Sequence, residues 1–157
     1  MFDEALLLAI ASIAVAVAGF TAVTAALAPP GGSWSPTHRI RQRAIVSTTF
    51  NVVFEALLPV IAYAWLADVR EAMVLSSAVV ALYALWVITT RGRQLYKAGA
   101  LRTWGGRLLF VPGITATLLF AVNALLVGSV ALYALALCVQ LSVAVISFYQ
   151  LVAAASS

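Results

Sequence analysis

The sequence predicts an all-α, polytopic transmembrane helix bundle, and two observations support this prediction. First, 64% of the 157 residues are hydrophobic and only 9% are charged, whereas soluble domains have about 25% charged residues. Second, the apolar residues form long continuous runs and lack the alternation of polar and apolar residues found in an outer-membrane barrel. Since backbone polar groups must pair internally in lipid, helices are the expected structure. We expect residues 1–157 to form one transmembrane domain.

Five apolar runs are long enough to cross a hydrocarbon core of about 30 Å. They cover approximately residues 5–28, 44–67, 72–90, 108–127 and 130–153. A signal peptide is the alternative for the first run, because Ala26-Leu27-Ala28 has the small-x-small form of a cleavage site. We favour a span, since the preceding residues are acidic and the run is too long. Four spans are the alternative count, because only two residues join the last two runs.

Proline, glycine and polar residues predict where the helices end. The Pro-Pro-Gly-Gly segment at 29–32 stops the first helix. Ser35 and Pro36 have the residue types of an N-cap and a first helical position, so the second helix is expected to begin before the membrane. A short polar turn is predicted at residues 68–71 and a minimal turn at residues 128–129.

The segment 91–107 mixes basic residues with leucine and aromatic side chains. This pattern is typical of a short helix lying in the membrane interface. Pro112 follows it, near the first turn of the predicted fourth span, where proline is tolerated.

The basic residues are concentrated in two loops. Three lie in residues 29–43 and five in residues 91–107, so eight of the nine fall on one side of the membrane, and only Arg70 falls on the other. The positive-inside bias predicts an external N-terminus and a cytoplasmic C-terminus in a cell inner (plasma) membrane protein. We interpret the eight as topology signals and lipid head-group contacts, without nucleic-acid binding: Arg39, Arg41, Arg43, Arg91, Arg93, Lys97, Arg102 and Arg107.

Glu55 lies almost at the centre of the second apolar run. A charged residue at that depth costs about 2.5–3.5 kcal/mol on insertion scales. Asn51 is one turn before it and Pro59 one turn after, so the three share a helical face. Because Pro59 has no N–H, it frees the backbone carbonyl four residues earlier, which belongs to Glu55 itself.

Gln140 in the fifth run is expected at the same depth as Glu55, by counting residues at the helical rise. No run contains Lys or Arg, so a neutral Glu55 is expected to donate to Gln140 or to pair with Asn51. With Pro59 and Asn123, these residues form the candidate intramembrane polar site. Two interpretations stay open: a proton or cation site at a kinked helix, or a glutamic acid that pins helices together.

Several chemistries lack the residues they require. No histidine or lysine lies in an apolar run, and no His/Cys/Asp/Glu cluster has metal-ligand spacing. We therefore expect no enzyme activity, no cofactor and no metal. The predicted function is structural or accessory, acting by helix contacts in a homo-oligomer or a larger membrane complex. Such contacts suit the small residues Ala14, Ala18, Ala22 and Ala26. The alternative is a small oligomeric channel or proton-coupled carrier that titrates Glu55.

Scattered residues resemble those of small, uncharacterised prokaryotic inner-membrane proteins. The similarity lies in Ala18-Gly19-Phe20, Trp34, Arg39, Arg41, the segment Phe54–Pro59, Asn123 and Tyr133. This resemblance implies a four- or five-span membrane protein. It carries over no activity and no functional residue.

Overall fold

The computed structural model describes the backbone of residues 3–26, 36–97 and 104–155. Side chains are described for residues 3–23, 42–90, 93, 110–150 and 152. Within those backbone ranges every regular element is a helix and there is no strand, which confirms the all-α prediction.

Five helices follow one another: α1 (Glu4–Ala26), α2 (Pro36–Leu66), α3 (Val69–Lys97), α4 (Trp104–Val122) and α5 (Val130–Ala155). A π-helical turn over Asn123–Val127 continues α4. Among the described residues, five stretches are long and apolar enough to cross a membrane: Glu4–Val23, Gln42–Leu66, Val69–Thr90, Phe110–Val127 and Val130–Gln150. The predicted number of such helices is therefore confirmed, and it indicates a multi-pass membrane protein.

The helices α2 to α5 pack as an up-and-down bundle. Each contacts its neighbours in sequence, and α5 returns to pack along α2, while α1 lies against both α2 and α5. The interior is built mainly from apolar side chains, and the Phe120 and Tyr133 rings pack in a T-shaped arrangement with centroids 5.1 Å apart. The outer surface is also apolar, with Phe20, Phe54 and Leu125 all exposed. An apolar exterior around a packed interior is the pattern of a protein solvated by lipid.

The turn between α2 and α3 is shorter than the sequence predicts. The α2 helix ends at Leu66, and Ala67 has a left-handed φ of 53°. The Asp68 Oδ1 atom accepts the backbone N–H of Glu71 at 2.8 Å, which is an N-cap hydrogen bond. Because this cap starts α3 at Val69, Arg70 belongs to the first helical turn and not to the loop.

The described parts of residues 91–107 form no separate helix in place of the predicted interfacial one. Residues 91–97 extend α3 and residues 104–107 already belong to α4; residues 98–103 lie outside the described part. Five of the seven residues 91–97 are arginine, lysine, leucine or glutamine, which are good helix formers, and α3 continues through the single Gly92 among them. Because α4 begins at Trp104, before the predicted start at residue 108, Pro112 lies inside α4, beyond the predicted first turn.

The predicted minimal turn at residues 128–129 is confirmed, and its glycine is required there. Gly128 has a φ of 64° and donates its N–H to the Asn123 carbonyl at 2.8 Å. A Cβ atom at this position would lie 2.8 Å from Cγ of Arg70 in α3. Glycine therefore serves both the left-handed conformation and the close approach of this turn to the start of α3.

Candidate intramembrane polar site

Glu55 is buried in the contact between α2 and α5. Its side chain is 4% exposed, and the Gln140 Nε2 atom donates to its Oε1 atom at 3.2 Å. The structure therefore brings together the two residues that counting along the helices places at one depth. The described cationic side chains Arg43, Arg70 and Arg93 are all exposed, so the partner of the buried acid is an uncharged amide.

The backbone carbonyl of Glu55 has a partner that sequence reasoning missed. Pro59 lies inside α2 and lacks the N–H that would bond this carbonyl. The hydroxyl of Tyr133, a fully buried residue of α5, donates to the carbonyl oxygen at 2.6 Å instead. The available signal was spacing: Tyr133 precedes Gln140 by two helical turns and shares its face. The same face of α5 thus contacts both the main chain and the side chain of Glu55.

The second carboxyl oxygen of Glu55 is left unsatisfied. Oε2 is buried and has no hydrogen-bond partner among the described residues. The donor in the Glu55–Gln140 hydrogen bond is the amide, so the predicted donation from Glu55 to Gln140 runs the other way. A buried polar group without a partner costs about 1–3 kcal/mol. Glu55 therefore keeps one oxygen for a proton or for another donor.

A groove beside Glu55 lies between α2 and α3. Its cavity of about 310 Å³ is lined by α2 residues including Asn51 and by three residues of α3. Asn51 is half-buried in this lining, and no hydrogen bond joins it to Glu55 or to another described side chain. The predicted Asn51–Glu55 pair is therefore not formed, because the carboxyl group bonds to Gln140 of α5.

Asn123, which the sequence analysis groups with Glu55, makes its hydrogen bonds with residues outside that group. It is fully buried, its Nδ2 atom donates to Ser77 Oγ at 2.8 Å, and its Oδ1 atom accepts the Ser129 N–H at 2.8 Å. These bonds tie the end of α4 to α3 and to the start of α5. Sequence reasoning missed Ser77, whose neighbour Ser76 is also buried and has an Oγ without a described partner.

The up-and-down arrangement of the helices brings the basic start of α2, end of α3 and start of α4 to one end of the bundle. Arg43 and Arg93 have exposed side chains. Of the other six predicted head-group residues, Arg102 lies outside the described residues, and five lie on helices at positions where the side chains are not described. These five are Arg39 and Arg41 near the start of α2, Arg91 and Lys97 near the end of α3, and Arg107 near the start of α4.

The small residues of α1 fall into two rows. In the predicted row Ala14 is buried, Ala18 is half-buried and Ala22 is exposed, while the Ala26 side chain is not described. Part of that row therefore packs inside the chain's own bundle. A second row is exposed throughout and has the three- and four-residue spacing of one helical face: Ala5, Ala9, Ser12, Ala16 and Gly19.

Comparison with known proteins gives no assignment. No protein-family model matches the chain, and no curated protein and no solved structure matches it. Among the described residues there is no group of three or more His, Cys, Asp or Glu side chains that could hold a metal ion. Inferences about function therefore depend on the chain's own surfaces and buried polar groups.

Proposed function

We propose that this chain is a structural or accessory protein of the cell inner membrane, which acts by helix contacts and not by catalysis. In this proposal the N-terminus is outside and the C-terminus is cytoplasmic. The positive-inside rule places the basic start of α2, end of α3 and start of α4 on the cytoplasmic side. Its surroundings are the lipid bilayer and a second copy or a larger membrane complex, without nucleic acid.

The exposed row of small residues on α1 is the observation that supports this proposal. Ala5, Ala9, Ser12, Ala16 and Gly19 present almost no side-chain bulk on the outer face. In lipid, helices associate by close backbone approach, and small residues at this spacing permit it. A Cβ atom built on Gly19 meets no atom within 4 Å, so the row lies open to another helix.

Replacing Gly19 by leucine is expected to disrupt association without disturbing the fold. A photo-cross-linking residue at Ala16, which is on the same exposed face, reports a neighbouring helix in native membranes. We expect a discrete cross-linked product, either a dimer or a heteromer, that Gly19→Leu reduces at least fivefold. The added side chain separates the backbones by more than the short range over which dispersion contacts act.

Gly113→Leu is the matched control for this experiment. Gly113 is also helical, although half-buried where Gly19 is exposed, and a Cβ atom there likewise meets nothing within 4 Å. We expect this variant to cross-link as the wild type does. A product that survives Gly19→Leu, or that both variants lose equally, contradicts association through this row.

A proton-coupled carrier or small channel is the second candidate function, and one observation favours it. A glutamic acid that only pinned helices together would be stabilised by satisfying both oxygens, yet Oε2 of Glu55 has no described partner. The groove that Glu55 lines supplies space beside it. In this proposal Glu55 is the titrating site, with Gln140, Tyr133 and Asn51 around it.

Glu55→Gln separates the two functions, because glutamine keeps the shape but cannot carry a proton at Oε2. In liposomes holding purified protein, a carrier is expected to pass protons or monovalent cations down an imposed gradient, and the variant is expected to lose this flux. A structural protein is expected to show no flux, and to tolerate the substitution because Gln140 can still donate to the amide oxygen.

Helicity and melting temperature of the variant decide how the flux is interpreted. If the variant keeps the helicity and melting temperature of the wild type but loses the flux, the result supports the carrier and places Glu55 on the path of the transported ion. Wild-type flux that Glu55→Gln leaves unchanged rules out Glu55 as the titrating group, and absence of flux from folded wild type rules out the carrier.

A further inference from the structure

Asn51 is a polar side chain deep in an apolar helix, and it has no hydrogen bond. It lies about 13 Å along α2 from the first residue of the apolar stretch Gln42–Leu66. The amides of Asn123 and Gln140 are both bonded to residues of other helices, whereas no hydrogen bond between described residues includes Asn51. In a bilayer, no water lies at this depth to replace the missing partner.

The amide of Asn51 is accessible from outside the chain. The side chain is half-buried and lines the groove between α2 and α3. Among the described residues, the buried side-chain atoms without a partner are Oε2 of Glu55 and Oγ of Ser76, and neither amide atom of Asn51 is among them. Phe54 and Val79, which line the same groove, are exposed. A group outside the chain can therefore contact this amide directly from the lipid-facing surface.

A second copy of the chain supplies a complementary group at the required depth. A side-chain amide has both donors and an acceptor, so two asparagine side chains can form a reciprocal pair. Copies with the same orientation in the membrane have Asn51 at the same depth, and a two-fold axis brings the same surface of each copy together. Lipid tails are apolar and offer no such partner. We propose that Asn51 pairs with Asn51 of a second copy across a homodimer interface formed by the α2–α3 groove.

The shape of this surface suits a two-fold contact. Phe50 and Phe54 project from α2 beside Asn51 and are 57% and 66% exposed, and the adjoining groove has a volume of about 310 Å³. A two-fold contact lets the projecting rings of each copy meet the groove of the other. Packing of this kind and interhelical hydrogen bonds are the forces that join helices in lipid. Because the groove lies between α2 and α3, the proposal does not depend on what the small residues of α1 contact.

Photo-cross-linking in native membranes tests this interface. A photo-reactive phenylalanine analogue replaces Phe50, which is exposed, precedes Asn51 and does not line the groove. We expect a product of twice the mass of the chain, in which mass spectrometry finds the probe joined to α2 or α3 of a second copy. Asn51→Leu is expected to lower the yield at least fivefold, because leucine keeps the bulk but cannot form a hydrogen bond.

Three further variants separate the amide from general effects. Asn51→Gln keeps an amide on the same face and is expected to retain at least half of the yield. Thr115→Val removes another exposed polar group, whose hydroxyl already donates to the Val111 carbonyl of its own helix at 3.0 Å, so an unchanged yield is expected. Gly19→Leu, which disrupts the α1 contact in the proposed function, is also expected to leave this product unchanged. The two contacts can therefore fail independently.

The identity of the product and its dependence on Asn51 decide the outcome. A homodimer that folded Asn51→Leu loses and Asn51→Gln keeps supports the proposal; helicity and melting temperature show that each variant is folded. Adducts with lipid alone, a product with a different protein, or a homodimer yield that Asn51→Leu leaves unchanged overturns it. Because the proposed bond joins two chains, it is not expected to contribute to the unfolding of copies kept apart in excess detergent.

Discussion

Replacing Asn123 by alanine is expected to lower the free energy of unfolding by about 2–4 kcal/mol, since each buried polar group left without a partner costs about 1–3 kcal/mol. The substitution leaves Ser77 Oγ without its donor and the Ser129 N–H without its acceptor. It also creates a cavity at a fully buried position. Reversible unfolding in mixed detergent micelles, followed by circular dichroism, measures the loss.

Asn51→Ala is the matched control for this loss. Asn51 is half-buried and makes no described hydrogen bond, so a change within about 0.5 kcal/mol is expected, as for substitutions away from specific contacts. Ser77→Ala in the Asn123→Ala background is expected to cost much less than alone, because its partner is already gone. Equal losses for Asn123→Ala and Asn51→Ala would show that the buried amide does not stabilise the junction of α3, α4 and α5.

The apolar helices could be predicted from sequence because hydropathy and length decide which segments lie in lipid. Five such helices were expected and five are present in the described residues. The helix ends were harder to predict. Nothing in the composition distinguishes residues 91–97, which extend α3, from an interfacial helix of the same residues. Helix-forming basic residues suit both structures, and packing decides between them.

Depth in the membrane, counted along each helix, predicts only part of the candidate site. Counting residues at the helical rise places Gln140 level with Glu55, and their side chains do meet. Depth gives no information on which neighbour a helical face meets, so Asn123 was grouped with Glu55 although its partners are Ser77 and Ser129. Tyr133 was missed for a different reason: an aromatic residue in an apolar helix looks like core until the unpaired Glu55 carbonyl is traced to its donor.

The hydroxyl of Tyr133 is expected to stabilise the fold because Pro59 leaves the Glu55 carbonyl without its hydrogen bond inside α2. Tyr133→Phe keeps the ring and its contact with Phe120 but removes the donor to the Glu55 carbonyl. An unpaired buried carbonyl costs about 1–3 kcal/mol, and we expect a loss of that size in the free energy of unfolding. Tyr149→Phe is the control, since Tyr149 is exposed and its loss is expected within about 0.5 kcal/mol.

A double-mutant cycle with Pro59→Ala tests the cause of this loss. Alanine restores an N–H at position 59, within the continuous helix α2, and that N–H can bond the Glu55 carbonyl four residues earlier. In this background Tyr133→Phe is expected to cost less than half of its wild-type cost, because the carbonyl keeps a partner. An equal cost in both backgrounds would mean that the hydroxyl acts elsewhere. A reduced cost would show that proline, by removing one bond inside α2, makes the Glu55 segment depend on α5 for its main chain as well as for its side chain.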